Sequence, residues 1–261
     1  VDTLRGDPHR LAEASPPSAA PWRQAASPVV AVMQPYFLPY LGYLSLVAAC
    51  DTFVFYDDVQ HIPRGWVHRN RILIDGAAHT FTVPLAMSSR NRLLGEVGTH
   101  DFARFRRQFQ RQLECAYRRA PQFEPTMALL REVLGDDEPG IAELAMRSVQ
   151  VLCAALGIER RFLRSSQGFA GSRGLPRAER LAAITRALGA TRYVNSPGGD
   201  ALYTREEFAA LGVSLRFVRP RLPPYPQMGS TGFVAGLSVV DALMNNPLPE
   251  VARLARQFVL D

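Results

Sequence analysis

The sequence predicts an α/β protein built on a mainly parallel sheet in a three-layer core, with an added helical segment. Three observations carry this. Val29-Val30-Ala31-Val32-Met33, a loop, a helical stretch and Thr52-Phe53-Val54-Phe55-Tyr56 follow one another within one βαβ length. Short apolar runs and helical stretches alternate again from Pro176 to Val218. The hydrophobic content of 47% suits a chain that buries a real core, and no apolar run approaches the ~20 residues of a membrane-spanning helix.

The elements follow in order. Residues 1–27 are dense in Ala, Pro and Ser without apolar periodicity and read as a disordered or loosely packed tail. Residues 28–261 read as a single domain. Val29–Met33 is a buried strand, and Gln34–Pro39 is a Pro-punctuated loop. Tyr40–Cys50 is a helix and Thr52–Tyr56 a second buried strand. Arg71–Ile74 and His79–Val83 form a hairpin with Asp75-Gly76 at its turn. Ser88–Asn91 is an exposed loop. A helical insertion spans about 100–157. Its first helix, 101–119, puts Phe102, Phe105, Phe109 and Leu113 on one face and most arginines on the other. A second helix covers 139–156 and stops at Gly157. A short strand follows near Arg161–Leu163, then a helix over Pro176–Leu188. Arg192–Asn195 is a strand and Ser196–Gly199 a tight loop. A helix reaches Leu211, and Val213–Val218 is the last strand. Ser238 with Asp241 three residues on reads as a helix cap.

All 30 basic residues are arginine, against 24 acidic residues, for a formal charge of +6. Without lysine there is no Schiff-base, P-loop or kinase-lysine chemistry. Fixed positive charge is planar and bidentate, suited to carboxylates and phosphates. The aromatics of 101–119 lie on its apolar face and not among its arginines, which argues against DNA as a partner. Cys50, Cys115 and Cys153 are scattered and odd in number. That pattern points to a reducing cytoplasm and against a zinc site.

Four constellations carry candidate chemistry. The first is Gln34-Pro35-Tyr36-Phe37-Leu38-Pro39-Tyr40-Leu41-Gly42-Tyr43, in which Gln34, Pro35, Tyr36, Tyr40, Gly42 and Tyr43 are candidate donor-pocket residues. The second is Asp57, Asp58, Gln60 and His61 at the carboxyl end of a strand, where open α/β sheets bind ligands. One aspartate would act as general base or bind Mg²⁺, and only one of two neighbours in an extended segment faces the site. A solvated turn is the alternative. The third is Arg64, Trp66, His68, Arg69 and Asn70. Arg69 is the candidate anion clamp, with Asn70 orienting it and His68 a candidate acid/base group. The fourth is Asn195-Ser196-Pro197-Gly198-Gly199 with Tyr203. There Asn195, Gly198 and Gly199 would present backbone N–H groups to an anion.

These motifs, with Arg69-Asn70-Arg71, Leu202-Tyr203 and Leu237-Ser238-Val239-Val240-Asp241, make the chain resemble the WbqC-like family from about residue 29 to 247. That family is known mainly from bacterial gene clusters for O-antigen and related polysaccharides. The resemblance implies a biosynthetic enzyme of surface polysaccharide or specialised-metabolite assembly. A fainter resemblance links Tyr40-Leu41-Gly42-Tyr43 to the His-x-Gly-His signature of HIGH nucleotidylyltransferases and pantothenate synthetase. It implies a Rossmann-like (HUP-type) core and a phosphate near the first helical turn at Gly42. Here both histidines are tyrosines, and the lysine of the second signature is missing. Arg69, Arg173 or Arg177 would have to supply its charge.

Together these give an expected transferase that moves an activated acyl, aminoacyl or nucleotidyl group to an amine or hydroxyl. An ATP-dependent amide ligase and a non-catalytic binding module are the alternatives. The expected partners are a small-molecule donor and acceptor, free or carrier-bound. A nucleotide with Mg²⁺ is the cofactor candidate.

Overall fold

The computed structural model describes residues 27–63, 65–86 and 92–261. The expected tail (apart from Ser27), Arg64 and the Ser88–Asn91 loop lie outside the described residues.

β1 (Val29–Met33), α1 (Leu41–Ala49) and β2 (Thr52–Phe55) form the expected βαβ unit, with β1 and β2 parallel and nearly every residue of the unit buried. A strand covered on both faces reads as continuous apolar residues, which is why Val29–Val32 lacks alternation. β3 (Arg69–Ile74) and β4 (Ala77–Thr82) make the hairpin, antiparallel from Arg69↔Thr82 to Ile74↔Ala77. Asp75 at φ 49° and Gly76 at φ 75° take the left-handed pair that a two-residue turn of the right twist demands. β5 (Leu85–Ala86) and β6 (Gly98–Thr99) pair as a small ribbon.

α2 (Phe102–Tyr117) buries Phe102, Phe105, Phe109, Leu113 and Tyr117, the stripe expected from its period. α3 (Phe123–Leu134) was not anticipated, and α4 (Ile141–Ala155) was. β7 (Arg161–Arg164) joins β2 in parallel, and α5 (Ser165–Gly168) follows at once. α6 (Arg177–Ala187), β8 (Arg192–Asn195), α7 (Arg205–Ala210) and β9 (Ser214–Pro220) continue the alternation. α8 (Val239–Asn245), α9 (Leu248–Ala255) and β10 (Phe258–Leu260) end it.

The main sheet has the order β10-β9-β8-β1-β2-β7, parallel except for β10. A large core on one side joins α1 to α4, α8 and α9, and a smaller one on the other packs α6 and α7. This is a mixed α/β, Rossmann-like three-layer arrangement. The chain moves outward from β1 through β2 to β7, then returns to build β8 and β9 on the other side of β1. The reversal opens a crevice beyond the carboxyl ends of β1 and β8, the place where such sheets bind ligands.

Only half of the expected cap at α8 forms. Ser238 Oγ accepts from Val240 N at 3.3 Å. Asp241 does not reach back to the helix start. It is fully buried and accepts from Tyr117 Oη (3.0 Å), Tyr225 Oη (2.9 Å) and Gln227 Nε2 (2.8 Å). Tyr117 Oη in turn accepts from Leu73 N at 2.8 Å. Asp241 thus ties α8 to α2, to β3 and to the 225–227 loop. Burial outweighs these bonds and raises its carboxyl above the ordinary range.

Candidate functional site

A cavity of about 340 Å³ lies at the β1–β8 crevice. It brings together parts of three constellations that the sequence keeps apart. Tyr36, Tyr40 and Tyr43 come from the loop and helix after β1, Trp66 and Asn70 from the start of the hairpin, and Gly198 from the loop after β8. Met33, Leu46, Arg71, Ser196 and Gly236 complete the wall. None of these five was singled out as a candidate, although Arg71 and Ser196 stand inside quoted motifs.

The aromatic wall is held from behind. Tyr43 is buried and donates its hydroxyl to Gln34 O at 2.8 Å, and its ring centroid is 5.2 Å from that of Tyr36. Pro35 sits between Gln34 and Tyr36 in this loop. Burial pushes the phenols of Tyr36, Tyr40 and Tyr43 above their usual range, so they are neutral hydrogen-bonding groups at physiological pH. Gly42 has a different role from the expected one. A Cβ there would lie 2.3 Å from the Tyr40 ring and 3.0 Å from Pro220. The missing side chain makes room for Tyr40, and that ring occupies the space where a phosphate was expected to approach.

Asn70 also acts on the backbone. Its Nδ2 donates to Leu38 O at 2.8 Å and its Oδ1 accepts from Arg71 N at 2.8 Å. It fixes the loop after β1 against β3 and does not bond Arg69. The arginines are organised by Trp66, which is 41% exposed. Arg69 Cζ lies 5.1 Å and Arg71 Cζ 5.8 Å from the Trp66 ring centroid. Arg71 Nη2 donates to Gly236 O at 3.0 Å, while Nε of both arginines is buried without a partner among the described residues. Among the described residues neither forms an ion pair. Two uncompensated guanidiniums beside an aromatic cavity make a positive, bidentate rim.

After β8, Asn195 Oδ1 accepts from Ser196 N at 2.8 Å. Gly199 is needed because a Cβ would meet Asn195 Nδ2 at 2.5 Å, whereas the space around Gly198 is open. Tyr203 N donates to Gly199 O at 3.0 Å, and its ring packs edge-on against Phe208 on the α6–α7 side. Gly198 therefore faces the cavity and Tyr203 the opposite face of the sheet.

Asp57 and Asp58 lie on neither wall of the cavity. Both are buried at the carboxyl end of β2, where β7 delivers their partners. Asp57 accepts from Arg164 Nε (2.9 Å), Ser165 Oγ (3.2 Å), Ser166 N (2.9 Å) and Ser166 Oγ (2.7 Å). Asp58 accepts from Ser165 Oγ, from Arg173 Nε at 2.7 Å and from Arg180 Nη2 at 2.7 Å on each oxygen. Burial alone would raise both carboxyls, but the serine and arginine hydrogen bonds prevail and hold both below the ordinary range. The single Ser165 hydroxyl proton is shared between Asp57 Oδ1 and Asp58 Oδ1, and every one of the four oxygens accepts at least one further bond. The geometry suits anchoring arginines better than abstracting a proton or binding Mg²⁺. Among the described residues, no group of three or more His, Cys, Asp or Glu side chains is arranged to hold a metal ion. Arg164, Ser165, Ser166 and Arg180 were not legible as site residues.

Gln60 is exposed and pairs by its backbone with Leu93, away from the cavity. His68 is also outside the cavity lining. It is 9% exposed and packs against His61, 3% exposed, with ring centroids 5.4 Å apart. Both nitrogens of His61 and Nδ1 of His68 are buried without partners among the described residues. Burial lowers the His61 pKa. Burial, with the charges of His61 and Arg69, lowers that of His68 to about 4. Both rings are therefore neutral near pH 7, and protonation favours the unfolded chain. Stability from this pair is complete above about pH 6.5 and is lost as pH falls towards about 4, with His68 contributing about 2–3 kcal/mol. Urea unfolding across that window should show the loss, and His68→Phe should flatten it. An unchanged slope in the variant would refute the assignment.

The chain is 29% identical over 232 residues to the uncharacterized protein Rv1507c of Mycobacterium tuberculosis (strain ATCC 25618 / H37Rv), covering 87% of this chain and 99% of that one. No solved structure matches. No helix among the described residues is long and apolar enough to cross a membrane. A family model described as the WbqC-like protein family matches residues 34–252, which span both walls of the cavity and the Asp57–Asp58 cluster, and the chain belongs to that family.

Proposed function

We propose that this protein is a transferase of bacterial surface-polysaccharide or specialised-metabolite assembly, moving an activated acyl, aminoacyl or nucleotidyl group onto an amine or hydroxyl. Membership of the WbqC-like family supports a biosynthetic role at the coarse level. The observation that carries the finer reading is the cavity itself. Tyr36, Tyr40 and Trp66 offer flat apolar surface, and Arg69 and Arg71 bring positive charge to its edge, paired with no acid among the described residues. That combination suits a donor with a planar or hydrophobic body and an anionic leaving group.

In this reading the arginines hold the leaving anion and stabilise charge that grows on it during transfer. The neutral phenols of Tyr36 and Tyr40 orient the transferred group by hydrogen bonds. No carboxylate among the described residues lines the cavity, so the acceptor enters as a free amine or hydroxyl, its nucleophilic atom bonds to the transferred group as the bond to the leaving group breaks, and its proton passes to the departing anion or to solvent. The ligase reading would place triphosphate at the first turn of α1, where the Tyr40 ring stands. That favours a donor activated elsewhere over adenylation in this cavity.

Thermal shift with a panel of donors tests this. A coenzyme A thioester or a nucleotide-linked donor should raise Tm, and ATP with Mg²⁺ alone should not. A rise with ATP and Mg²⁺, accompanied by pyrophosphate release in the presence of an acid and an amine, would replace the transferase by the ligase.

A further inference from the structure

The carboxyl edge of the sheet carries a second group of aromatic and cationic side chains, on the α6–α7 side. Tyr56 leaves β2 there and, like Tyr203, packs against the smaller core, which contains Phe208. Arg180 Cζ lies 4.6 Å from the Tyr56 ring centroid, and Asp58 holds that guanidinium through both carboxylate oxygens. Asp58 also holds Arg173, but only by Nε. Arg173 is 47% exposed, and its terminal nitrogens have no partner among the described residues. Arg177, one turn before Arg180, is exposed and joins no ion pair among the described residues. Its charge reaches the Tyr203 hydroxyl, as does that of Glu207.

On the α6–α7 side Asp58 holds both Arg173 and Arg180, while Arg177 joins no ion pair among the described residues. Arg164 belongs to a separate group, paired with Asp57 and 3.9 Å from Glu143. A buried aspartate that fixes one arginine and leaves the outer face of another free is an arrangement that presents cations to a ligand. The loop after β8 joins this group to the first cavity, since Ser196 and Gly198 line the cavity and Tyr203 lies beyond them.

The geometry points to a second subsite, formed by Arg173, Arg177 and Tyr203 and braced by Asp58 and Arg180, that binds a phosphate group of the second substrate. Resting on the two-substrate transferase reading, this puts donor and acceptor on opposite sides of the β1–β8 crevice, with the 196–203 loop between them. Asp58 is then a positioning residue that acts through its arginines.

Pyrophosphate is the probe, titrated calorimetrically at low salt without divalent cations. The wild-type chain should bind two per molecule. The double variant Arg173→Met/Arg177→Met should lose one site or weaken it at least tenfold and keep the other. Arg71→Met should do the reverse. Arg173→Met also breaks a 2.7 Å bond to the buried Asp58 and should lower Tm, so Arg177→Met alone, which removes no ion pair among the described residues, should weaken the same site with Tm near wild type. Arg104→Met on the solvent face of α2 controls for net charge and should change neither site. A single site that Arg71→Met removes and the double variant leaves intact overturns the second subsite while leaving the proposed function standing. A single site sensitive only to the double variant upholds the subsite and removes the anion role of the first cavity. No binding, or weakening by Arg104→Met equal to that of the double variant, overturns the subsite.

Discussion

Asp58→Ala is expected to destabilise the protein by about 3–5 kcal/mol, the range seen when one partner of a buried ion pair is removed. The reason lies in what remains. Arg180 is nearly buried, and it directs Nη2 at both oxygens of Asp58. Without the carboxylate it becomes an uncompensated charge beside the Tyr56 ring, and Ser165 loses an acceptor. For a chain of this size the loss corresponds to a fall in Tm of about 10 °C. Replacing both partners, Asp58→Leu with Arg180→Met, should recover much of it, because the cost lies in stranding one charge and not in lacking the pair. The carboxyl is held below its ordinary range, so its contribution is present above about pH 4 and is lost as pH falls through the folded value. An Asp58→Ala protein that melts within 2 °C of wild type would show that the arginines are not anchored as described. A catalytic base at this position predicts the opposite pattern: full stability and no turnover.

What the sequence revealed and what it concealed follow from separation along the chain. The βαβ unit, the Asp75-Gly76 hairpin and the α2 stripe are encoded within a few residues, by apolar runs, turn chemistry and period. Tyr36, Tyr40 and Tyr43 stand close together and share a cavity. The partners of Asp57 and Asp58 are 107 to 122 residues away, brought in only because β7 pairs with β2 and α6 folds over its end. No local pattern announces that pairing, so two clamped carboxylates look like two free ones. Gly42 shows a subtler limit. A glycine that admits a ligand and one that admits a neighbouring ring are identical in sequence, and only the 2.3 Å approach of Tyr40 separates them. α3 escaped notice although Met127, Leu130 and Leu134 share a face, because Pro125 near its start reads as a break, and β10 because three residues at the sheet edge carry little signal.

Arg71→Met should weaken anion binding in the first cavity by about 10–100-fold, the equivalent of one charge-assisted hydrogen-bonding group of roughly 1.5–3 kcal/mol. Sequence reading favoured Arg69, whose Cζ is the nearer of the two to Trp66, but Arg71 is the arginine in the cavity lining. Arg71→Lys should recover little, since an ammonium has neither the planar face that stacks on Trp66 nor two parallel donors for a phosphate. The competing role for Arg71 is structural, as a strut to Gly236 O at 3.0 Å, where Gly236 takes a φ of 69°. The two roles separate in one pair of measurements. A ligand-binding arginine costs affinity while Tm stays within about 2 °C, because its exposed edge gives up one hydrogen bond that water can replace. A strut lowers Tm and loosens the 225–238 segment, which proton exchange would register, and lysine would then restore stability by reaching the same carbonyl. Rescue of Tm without rescue of affinity would assign both roles to Arg71; rescue of affinity by lysine would mean that only its charge matters and would remove Trp66 from the recognition of the anion.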